Sequence, residues 1–210
     1  MQKKLFLIRH GETDYNLNHL MQGRGIDAPL NETGHQQALA VAEYMGRYQV
    51  DHIISSSMLR ARQTAGAMTE KNHSELLSHA DLDEMNFGDF EGDNYLEISD
   101  QIQEIHDIWV KGNTSYKIPG GESPEEVLER TESRILHYLE ELEGESLAFV
   151  IHGRVIRILL SVWTGIGLSN MHQIDHANGG INHLTKNSRK YDVVYLNKTS
   201  HLAELPVSSD

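Results

Sequence analysis

Three short apolar segments, each ending abruptly in polar residues, constrain the fold of this chain more than any other feature. They lie at residues 4–8, 50–54 and 146–151. Each is shorter than a typical helix and contains β-branched or aromatic residues, which predicts a buried strand. Residues 181–185 and 192–196 are further strand candidates. We therefore expect a sheet whose strands are spread along the whole sequence.

Helical patterns separate these strands. The clearest runs from Pro124 to Glu143, where Ser123 and Glu126 form a capping-box pattern and Gly144 ends the apolar periodicity. Other helices are predicted at 38–45 after an Asn31 cap, from Leu59 to about Met68, and at 155–162. Strands that alternate with helices predict an α/β fold, a three-layer α/β/α sandwich with a mostly parallel central sheet.

Polar residues of chemical interest follow the ends of the predicted strands. Arg9 and His10 follow the first strand, residues 55–62 follow the second, and His152 follows the third. In open α/β sheets, ligands bind beyond the carboxyl ends of the strands. One crevice at that edge of the sheet can therefore gather all of these side chains.

The length and composition exclude several classes of protein. We expect a single domain over residues 1–210, with residues 86–122, rich in Gly, Asp and Asn, as a cap segment. The chain has no cysteine, which excludes disulfides, a thiolate metal site and a cysteine nucleophile. No apolar run approaches the roughly 20 residues of a membrane-spanning helix. The N-terminus has no signal-peptide cleavage pattern, so we expect a cytoplasmic protein that binds no membrane.

The net charge of −13, from 18 Lys and Arg against 31 Asp and Glu, restricts the ligands of this chain. Such a charge repels a polyanion over most of the surface, so we expect no nucleic-acid partner. A small anion can still bind inside a local basic pocket. Such a pocket has to gather several of the few arginines.

The segment LIRHGET at residues 7–13 carries the strongest chemical signal. A neutral imidazole at a strand end can attack phosphorus, and an adjacent guanidinium can bind the phosphoryl oxygens in a fork. The glycine that follows lets the chain turn close to the anion. These residue types in this order therefore indicate phosphoryl transfer.

This segment, together with Asn16, resembles the signature of the histidine phosphatase superfamily, which includes the cofactor-dependent phosphoglycerate mutases. Gln22-Gly23 and the residues that follow resemble the family's QG…D…PL…G…QA stretch. The resemblance implies a phosphoglycerate mutase-like fold and a metal-independent mechanism with His10 as the nucleophile. It also implies substrate contacts from Arg9, Asn16, Gln22 and Gly23.

Two further stretches resemble the family in the same order. Residues 55–65 resemble its SS…LxRAxQTA helix, which implies that Arg60 binds the phosphate beside Arg9. Arg62 lies two residues further on and points away from Arg60 on a helix, so a phosphate contact and a solvated side chain both stay open for it. The Gly-Gly-Glu-Ser turn at 120–123 also resembles the family, and we interpret it as structural through its capping role.

The segment LDEMNFGDFEG at residues 82–92 resembles the LxExxxGxxEG segment that carries the proton donor in the phosphatase branch of the family. This match implies that Glu84 is the general acid and base. The neighbouring Asp83 is a less favoured candidate. An alkoxide leaves phosphorus poorly without a proton, so a carboxylic acid beside the reacting phosphate is useful.

The segment VIHGRVIR at residues 150–157 resembles the family's THGxxIR element. This implies that His152 faces His10 across the phosphate as an imidazolium that stabilises the transferring group, the alternative being a buried structural histidine. It also implies a substrate contact from Gly153. Arg154 departs from the pattern, in which a small residue is common. Two roles stay open for Arg154: a cation for a second anionic group of the substrate, or a solvated side chain.

Together these motifs predict a phosphatase that hydrolyses small phosphomonoesters through a phosphohistidine on His10, with neither metal nor cofactor. No HExxH pattern supports a metal site. The alternative is a phosphoglycerate mutase-type phosphotransferase that hands the same phosphoryl group to another hydroxyl. A non-catalytic binding protein is a third class, against which the presence of all four catalytic residue types argues. The physiological substrate stays open, and a homodimer is the default assembly.

Overall fold

A six-stranded sheet forms the centre of the structure, a computed structural model that describes residues 2–72, 74–187 and 190–203. In chain order the strands are β1 (Lys3–Arg9), β2 (His52–Ser56), β3 (Leu76–His79), β4 (Ser146–Ile151), β5 (Ile181–Lys186) and β6 (Tyr191–Lys198). Their spatial order is β3-β2-β4-β1-β5-β6. Neighbouring strands are parallel except at β5, which runs antiparallel to both β1 and β6. The prediction of a mostly parallel central sheet is confirmed.

Helices cover both faces of this sheet. Within the described ranges the α-helices are α1 (Asp14–Leu17), α2 (Glu32–Met45), α3 (Leu59–Asn72), α4 (Ser99–Val110), α5 (Pro124–Glu141) and α6 (Gly153–Trp163). Successive side chains of a strand point to opposite faces. Phe6 and Ile8 of β1 accordingly pack in one buried cluster with α2 and α3, whereas Leu5 and Leu7 pack in another with α5 and α6. The predicted three-layer α/β/α sandwich is therefore confirmed.

The sequence did not predict α1, β3 or α4, and the reason is clearest for β3 and α4. Strand β3 is a four-residue edge strand without a fully buried residue, so it lacks the continuous apolar run that marked the other strands. Helix α4 lies inside the expected cap segment and buries only Ile105 and Trp109. Its N-cap position is Ile98, which makes no side-chain cap hydrogen bond, so the usual start signal is missing. Both elements owe their order to tertiary packing more than to local pattern.

The predicted helix caps are present. The Ser123 side chain accepts a hydrogen bond from the Glu126 N–H, and the Glu126 carboxylate accepts one from the Ser123 N–H, which completes the capping box of α5. Asn31 caps α2 by accepting from the Gly34 N–H. Among the helices of the described ranges, none combines the length and the apolar character that crossing a membrane requires.

The sheet order places the functional segments side by side. Strand β4 lies between β1 and β2, and its Ile151 pairs with Arg9 while its Val150 pairs with Ser55. Because all three strands are parallel, their carboxyl ends meet at one edge. The residues that follow them, His10 among them, are therefore neighbours, as the alternating pattern predicted.

A close backbone crossing fixes the turn after β1. A Cβ on Gly11 would lie 2.4 Å from the Gly34 carbonyl oxygen, and a Cβ on Gly34 would lie 2.0 Å from the Glu12 carbonyl oxygen. Neither distance is sterically allowed, so both positions require glycine. The Gly11 N–H also donates to the Thr64 hydroxyl of α3 at 3.0 Å. The turn that carries His10 is thus held against the first turn of α2 and against α3.

Candidate active site

A cavity of about 460 Å³ lies at the carboxyl ends of β1 and β4. Seven of the predicted site residues line it, namely Arg9, His10, Asn16, Gln22, Glu84, Gly153 and Arg154. The other predicted residues, Gly23, Arg60 and His152, are not part of its lining but surround His10 from within the protein. A volume of this size is typical of a small-molecule site and exceeds what inorganic phosphate alone needs.

The hydrogen bonds of His10 determine which of its ring nitrogens is free to react. Nδ1 lies 2.6 Å from the Gly11 carbonyl oxygen, which can only accept, so Nδ1 carries the proton. Nε2 therefore has a lone pair, and the Arg60 Nε–H donates to it at 3.3 Å. Burial, then the charges of Arg60 and Arg9, hold the pKa of His10 well below its usual 6.5. The ring is neutral near pH 7, as a nucleophile has to be.

Arg60 lies directly behind the His10 ring and is fully buried. Its guanidinium donates to the Ile26 carbonyl at 2.9 Å and to the Gly23 carbonyl at 3.4 Å. These bonds hold the guanidinium at the edge of the imidazole. Arg62, for which two roles stayed open, is exposed to solvent. The predicted helix geometry therefore separates the two arginines as expected.

His152 stands beside His10, with 5.1 Å between the ring centroids. Its Nε2 lies 2.7 Å from the Ser56 hydroxyl, while its buried Nδ1 has no hydrogen-bond partner among the described residues. Burial, then the charges of Arg60 and His10, hold the pKa of His152 well below 6.5. The ring is therefore neutral in this structure, unlike the expected imidazolium, because a second buried cation beside Arg60 is unfavourable.

Arg9 lines the cavity, and His176 holds its guanidinium in place. Its Nη1 donates to His176 Nδ1 and to the His176 carbonyl, both at 3.0 Å. Burial, and next the charge of Arg9, lower the pKa of His176 to about 2, so the imidazole stays neutral and accepts this bond. Burial also lowers the pKa of Arg9 to about 10, which leaves it charged at neutral pH. The buried Arg9 Nε has no protein partner in the described chain.

Polar side chains form the rest of the wall near His10. The Asn16 side-chain oxygen accepts from the Thr13 N–H at 3.2 Å and from the Asn178 amide at 3.1 Å. The Asn178 amide also donates to the His10 carbonyl at 3.1 Å. Gln22 accepts from the Thr13 hydroxyl at 2.8 Å, while its buried amide nitrogen finds no partner within the described residues. The N–H bonds of the Gln22 amide are therefore available to an anion in the cavity.

Glu84 lies at the N-terminus of α6, where free backbone N–H groups attract a carboxylate. Its Oε1 accepts from the Met85 N–H at 2.8 Å and from the Val155 N–H at 3.3 Å. Its Oε2 accepts from the Arg154 N–H at 3.1 Å. Asp83, the less favoured candidate, instead accepts from the Ser57 N–H and hydroxyl, and it does not line the cavity.

Arg154 and Arg157 form a second cationic part of the cavity. They lie three residues apart on α6, so they share one face of the helix, and both line the cavity. The Arg154 guanidinium lies 5.8 Å from the centre of the Phe87 ring and 5.7 Å from that of Trp109. Burial, then Arg157, lowers the pKa of Arg154 to about 10, so it remains a cation. Arg154, for which two roles stayed open, is half-buried and lines the cavity.

Sequence reasoning missed two lining residues of chemical interest. Arg157 lay within the resemblance to the family but received no role, although its spacing from Arg154 could have indicated a shared face. His176 lies in a loop without a motif, and only the fold brings it to Arg9. Among the described residues, no group of three or more His, Asp and Glu side chains is arranged to hold a metal ion.

Comparisons with known proteins identify the family of this chain. A family model described as the histidine phosphatase superfamily (branch 1) matches residues 5–199. The chain is 31% identical over 206 residues to the putative phosphoserine phosphatase 2 of Hydrogenobacter thermophilus, a match that covers 97% of this chain and 99% of that protein. The chain belongs to the histidine phosphatase superfamily, as the sequence motifs predicted.

Other relatives differ in their stated activity. The structure of mycobacterial glucosyl-3-phosphoglycerate phosphatase in complex with VO3 matches with a TM-score of 0.85 at 27% identity, covering 94% of this chain and 100% of that chain. The probable phosphoglycerate mutase GpmB of Escherichia fergusonii is 33% identical over 163 residues, which is 78% of this chain and 75% of that protein. The fold and the family are thus shared by phosphatases and by a protein named as a mutase.

Proposed function

We propose that this protein is a metal-independent phosphatase that hydrolyses small phosphomonoesters through a phosphohistidine intermediate on His10. The observation that carries the proposal is the 2.6 Å contact between His10 Nδ1 and the Gly11 carbonyl oxygen, from which we assign the proton of the ring to Nδ1. The opposite nitrogen, Nε2, keeps a lone pair beside the Arg60 guanidinium. A phosphoryl group that enters the cavity beside His10 would therefore meet a nucleophile.

The reaction has two steps. In the first, His10 Nε2 attacks phosphorus, the bond from phosphorus to the leaving oxygen breaks, and Glu84 gives its proton to that oxygen. In the second, Glu84 takes a proton from water as the water oxygen attacks phosphorus. The bond from Nε2 to phosphorus breaks, and inorganic phosphate leaves. Glu84 is protonated again and ready for the next substrate.

Several groups are placed to stabilise the charge of the transferring phosphoryl group. Arg9 and Arg60 supply two cations near His10, and Gly153 is the first residue of α6, whose N-terminus favours an anion. A phosphate dianion beside His152 would raise the pKa of that ring, because an opposite charge favours the protonated form. The expected imidazolium is thus a property of the substrate complex in this proposal.

The charge in the cavity supports a substrate with a second anionic group. Arg154 and Arg157 add two cations to Arg9 and Arg60, while Glu84 is the only carboxylate in the lining among the described residues. A phosphomonoester dianion alone balances about half of this positive charge. Two relatives act, by their names, on phosphoserine and on glucosyl-3-phosphoglycerate, which both carry a carboxylate. We therefore include carboxylated phosphomonoesters among the proposed substrates.

Replacing Arg154 by glycine is expected to raise KM for 3-phosphoglycerate about 10- to 100-fold, since a hydrogen bond to a charged group contributes about 1.5–3 kcal/mol. The rise in KM for p-nitrophenyl phosphate, which lacks the second anion, is expected to be much smaller. Steady-state kinetics on both substrates measures the difference. Arg62→Gly, at an exposed arginine, is the matched control. Equal changes for the two substrates would remove Arg154 from the proposed subsite.

The cap segment over residues 86–122 is part of the same proposal. It contributes Phe87 and Tyr95 to the cavity wall, and its helix α4 supplies the Trp109 ring beside Arg154. Segments of this kind restrict the access of water and large substrates to a site. These contacts support a cap that admits small substrates and encloses the part of the cavity proposed to bind their second anionic group.

Hydrolysis of p-nitrophenyl phosphate by the purified protein in the presence of EDTA tests the proposed activity. We expect turnover that EDTA does not reduce, because no step uses a metal ion. Activity that disappears with EDTA and returns with a divalent cation would contradict the proposal. A screen of phosphorylated metabolites, scored by released phosphate, then identifies the preferred substrate.

Phosphoglycerate mutase activity is the second candidate, and the relative named as a probable mutase favours it. A mutase would use the same His10 but transfer the phosphoryl group to a hydroxyl of a second substrate. Isomerisation of 3-phosphoglycerate that depends on a bisphosphoglycerate primer would show this activity. Release of phosphate without isomerisation would support the phosphatase.

A further inference from the structure

The guanidinium of Arg130, on α5, uses all of its N–H groups within the protein. It donates to the carbonyl oxygens of Asp81 and Asp83, each at 2.8 Å, and to that of Glu84 at 3.0 Å. Two further bonds, at 2.8 and 2.9 Å, reach the two carboxylate oxygens of Glu122. This saturates the five donors that a guanidinium has. One side chain therefore gathers three carbonyls of the segment that carries Glu84.

Glu122 completes this arrangement from the Gly-Gly-Glu-Ser turn. Its carboxylate accepts from the Asn86 N–H at 2.8 Å as well as from Arg130. Burial raises the pKa of Glu122, but its bonds to Arg130 and the Asn86 N–H outweigh burial, so the pKa is lowered overall. The carboxylate is thus ionised and paired. The Gly-Gly-Glu-Ser turn thus bonds to Asn86, two residues after Glu84, and it reaches the residues before Glu84 through Arg130.

The segment around Glu84 lies outside strands and α-helices, so its backbone is held by tertiary contacts, of which the bonds from Arg130 are the most numerous from one side chain. Glu84 follows a single 3-10 turn at Ala80–Leu82 and precedes another at Gly88–Phe90, with no strand or α-helix between them. Its side chain is fixed by N–H groups of Met85 and α6, whereas its carbonyl is fixed by Arg130. Arg130 does not line the cavity, so it does not touch the substrate.

We propose that Arg130, held by Glu122, is a positioning residue that fixes the Glu84 backbone so that the carboxyl group reaches the leaving oxygen. This inference rests on the proposed function of Glu84 as the proton donor. A displacement of about 1 Å in a reacting group can lower a rate by about 100-fold. The effect of losing Arg130 should therefore appear in proton donation rather than in substrate binding.

The leaving group provides the test. p-Nitrophenolate leaves without a proton, whereas the alkoxide of β-glycerol phosphate needs one. We expect Arg130→Met to lower kcat/KM for β-glycerol phosphate at least about tenfold more than for p-nitrophenyl phosphate, because general acid catalysis contributes about 10²–10⁴-fold. Arg130→Lys and Glu122→Gln keep part of the contact and should show the same selectivity to a smaller degree. These two variants also supply the test if Arg130→Met does not fold.

Arg134→Met is the matched control. Arg134 lies one turn further along α5, and within the described residues its hydrogen bonds go to the Asp81 side chain, at 3.0 and 3.1 Å, and not to the backbone around Glu84. This variant should lower kcat/KM for both substrates by the same factor or leave it unchanged for both. One outcome would overturn the positioning role and leave the proposed function intact. In it, Glu84→Gln lowers kcat/KM more for β-glycerol phosphate than for p-nitrophenyl phosphate, whereas every Arg130 and Glu122 variant that folds lowers kcat/KM equally for the two substrates. Absence of selectivity in Glu84→Gln itself would instead reject Glu84 as the proton donor.

Discussion

Replacing His10 by alanine is expected to lower kcat for p-nitrophenyl phosphate by at least about 10³-fold, because the loss of a nucleophile removes the covalent route altogether. The change deletes Nε2, the only ring nitrogen of His10 that is not bound to a backbone carbonyl. It also removes the partner of the Arg60 Nε–H. Initial rates of p-nitrophenol release measure the effect directly.

Trapping the intermediate separates the loss of a nucleophile from a general loss of structure. Rapid quenching of wild type with a radiolabelled phosphomonoester should give a phosphoprotein that is stable in base and labile in acid, as a phosphoramidate is. His10→Ala should give none. His35→Ala, at an exposed histidine of α2, should retain both turnover and labelling. Equal activity of wild type and His10→Ala, or a label on another residue, would refute the proposed mechanism.

The sequence predicted the fold well because its main signals are local. The runs at β1 and β4 are buried on both faces of the sheet, so they appear as continuous apolar segments. The residue after each of these strands is a histidine, His10 or His152, so a polar side chain directly follows an apolar run and can be recognised in the sequence. The capping box of Ser123 and Glu126 is equally local. Each of these signals lies within about seven residues of sequence.

The remaining parts of the candidate site depend on contacts between distant segments. Arg130 and Glu84 are 46 residues apart in sequence, and Arg9 and His176 are 167 apart. No periodicity or spacing connects such pairs in a single sequence. The protonation state of His152 could not be predicted from the sequence either, because the pKa of an imidazole depends on its burial and on which cations lie beside it. The charges of neighbours follow from the fold and not from the motif.

The acidic composition and the basic cavity are parts of one electrostatic arrangement. A net charge of −13 repels polyanions from most of the surface, while Arg9, Arg60, Arg154 and Arg157 are concentrated at one edge of the sheet. A small anion close to the cavity meets a local positive potential in surroundings from which water is partly excluded. The surface charge therefore disfavours polyanions, whereas the size and charge of the cavity favour a small anion.

Replacing Glu84 by glutamine is the second change with a large expected effect. We expect kcat/KM for β-glycerol phosphate to fall about 10²–10⁴-fold, because the amide cannot give a proton to the leaving alkoxide. The fall for p-nitrophenyl phosphate should be smaller, since its leaving group needs no proton. Steady-state kinetics on the two substrates, with thermal unfolding as a check on folding, measures this difference.

The same substitution also has a predictable structural cost. Glutamine can keep one oxygen on the N–H groups of Met85 and Val155, but its amide nitrogen would then face the Arg154 N–H, a donor opposite a donor. An unpaired buried group costs about 1–3 kcal/mol, so the midpoint of thermal unfolding should fall modestly. Asp83→Asn is the control, since Asp83 binds Ser57 outside the cavity. If Asp83→Asn and not Glu84→Gln discriminates between the two leaving groups, the roles of these neighbouring acids are reversed and the α6 N-terminus serves only to anchor Glu84.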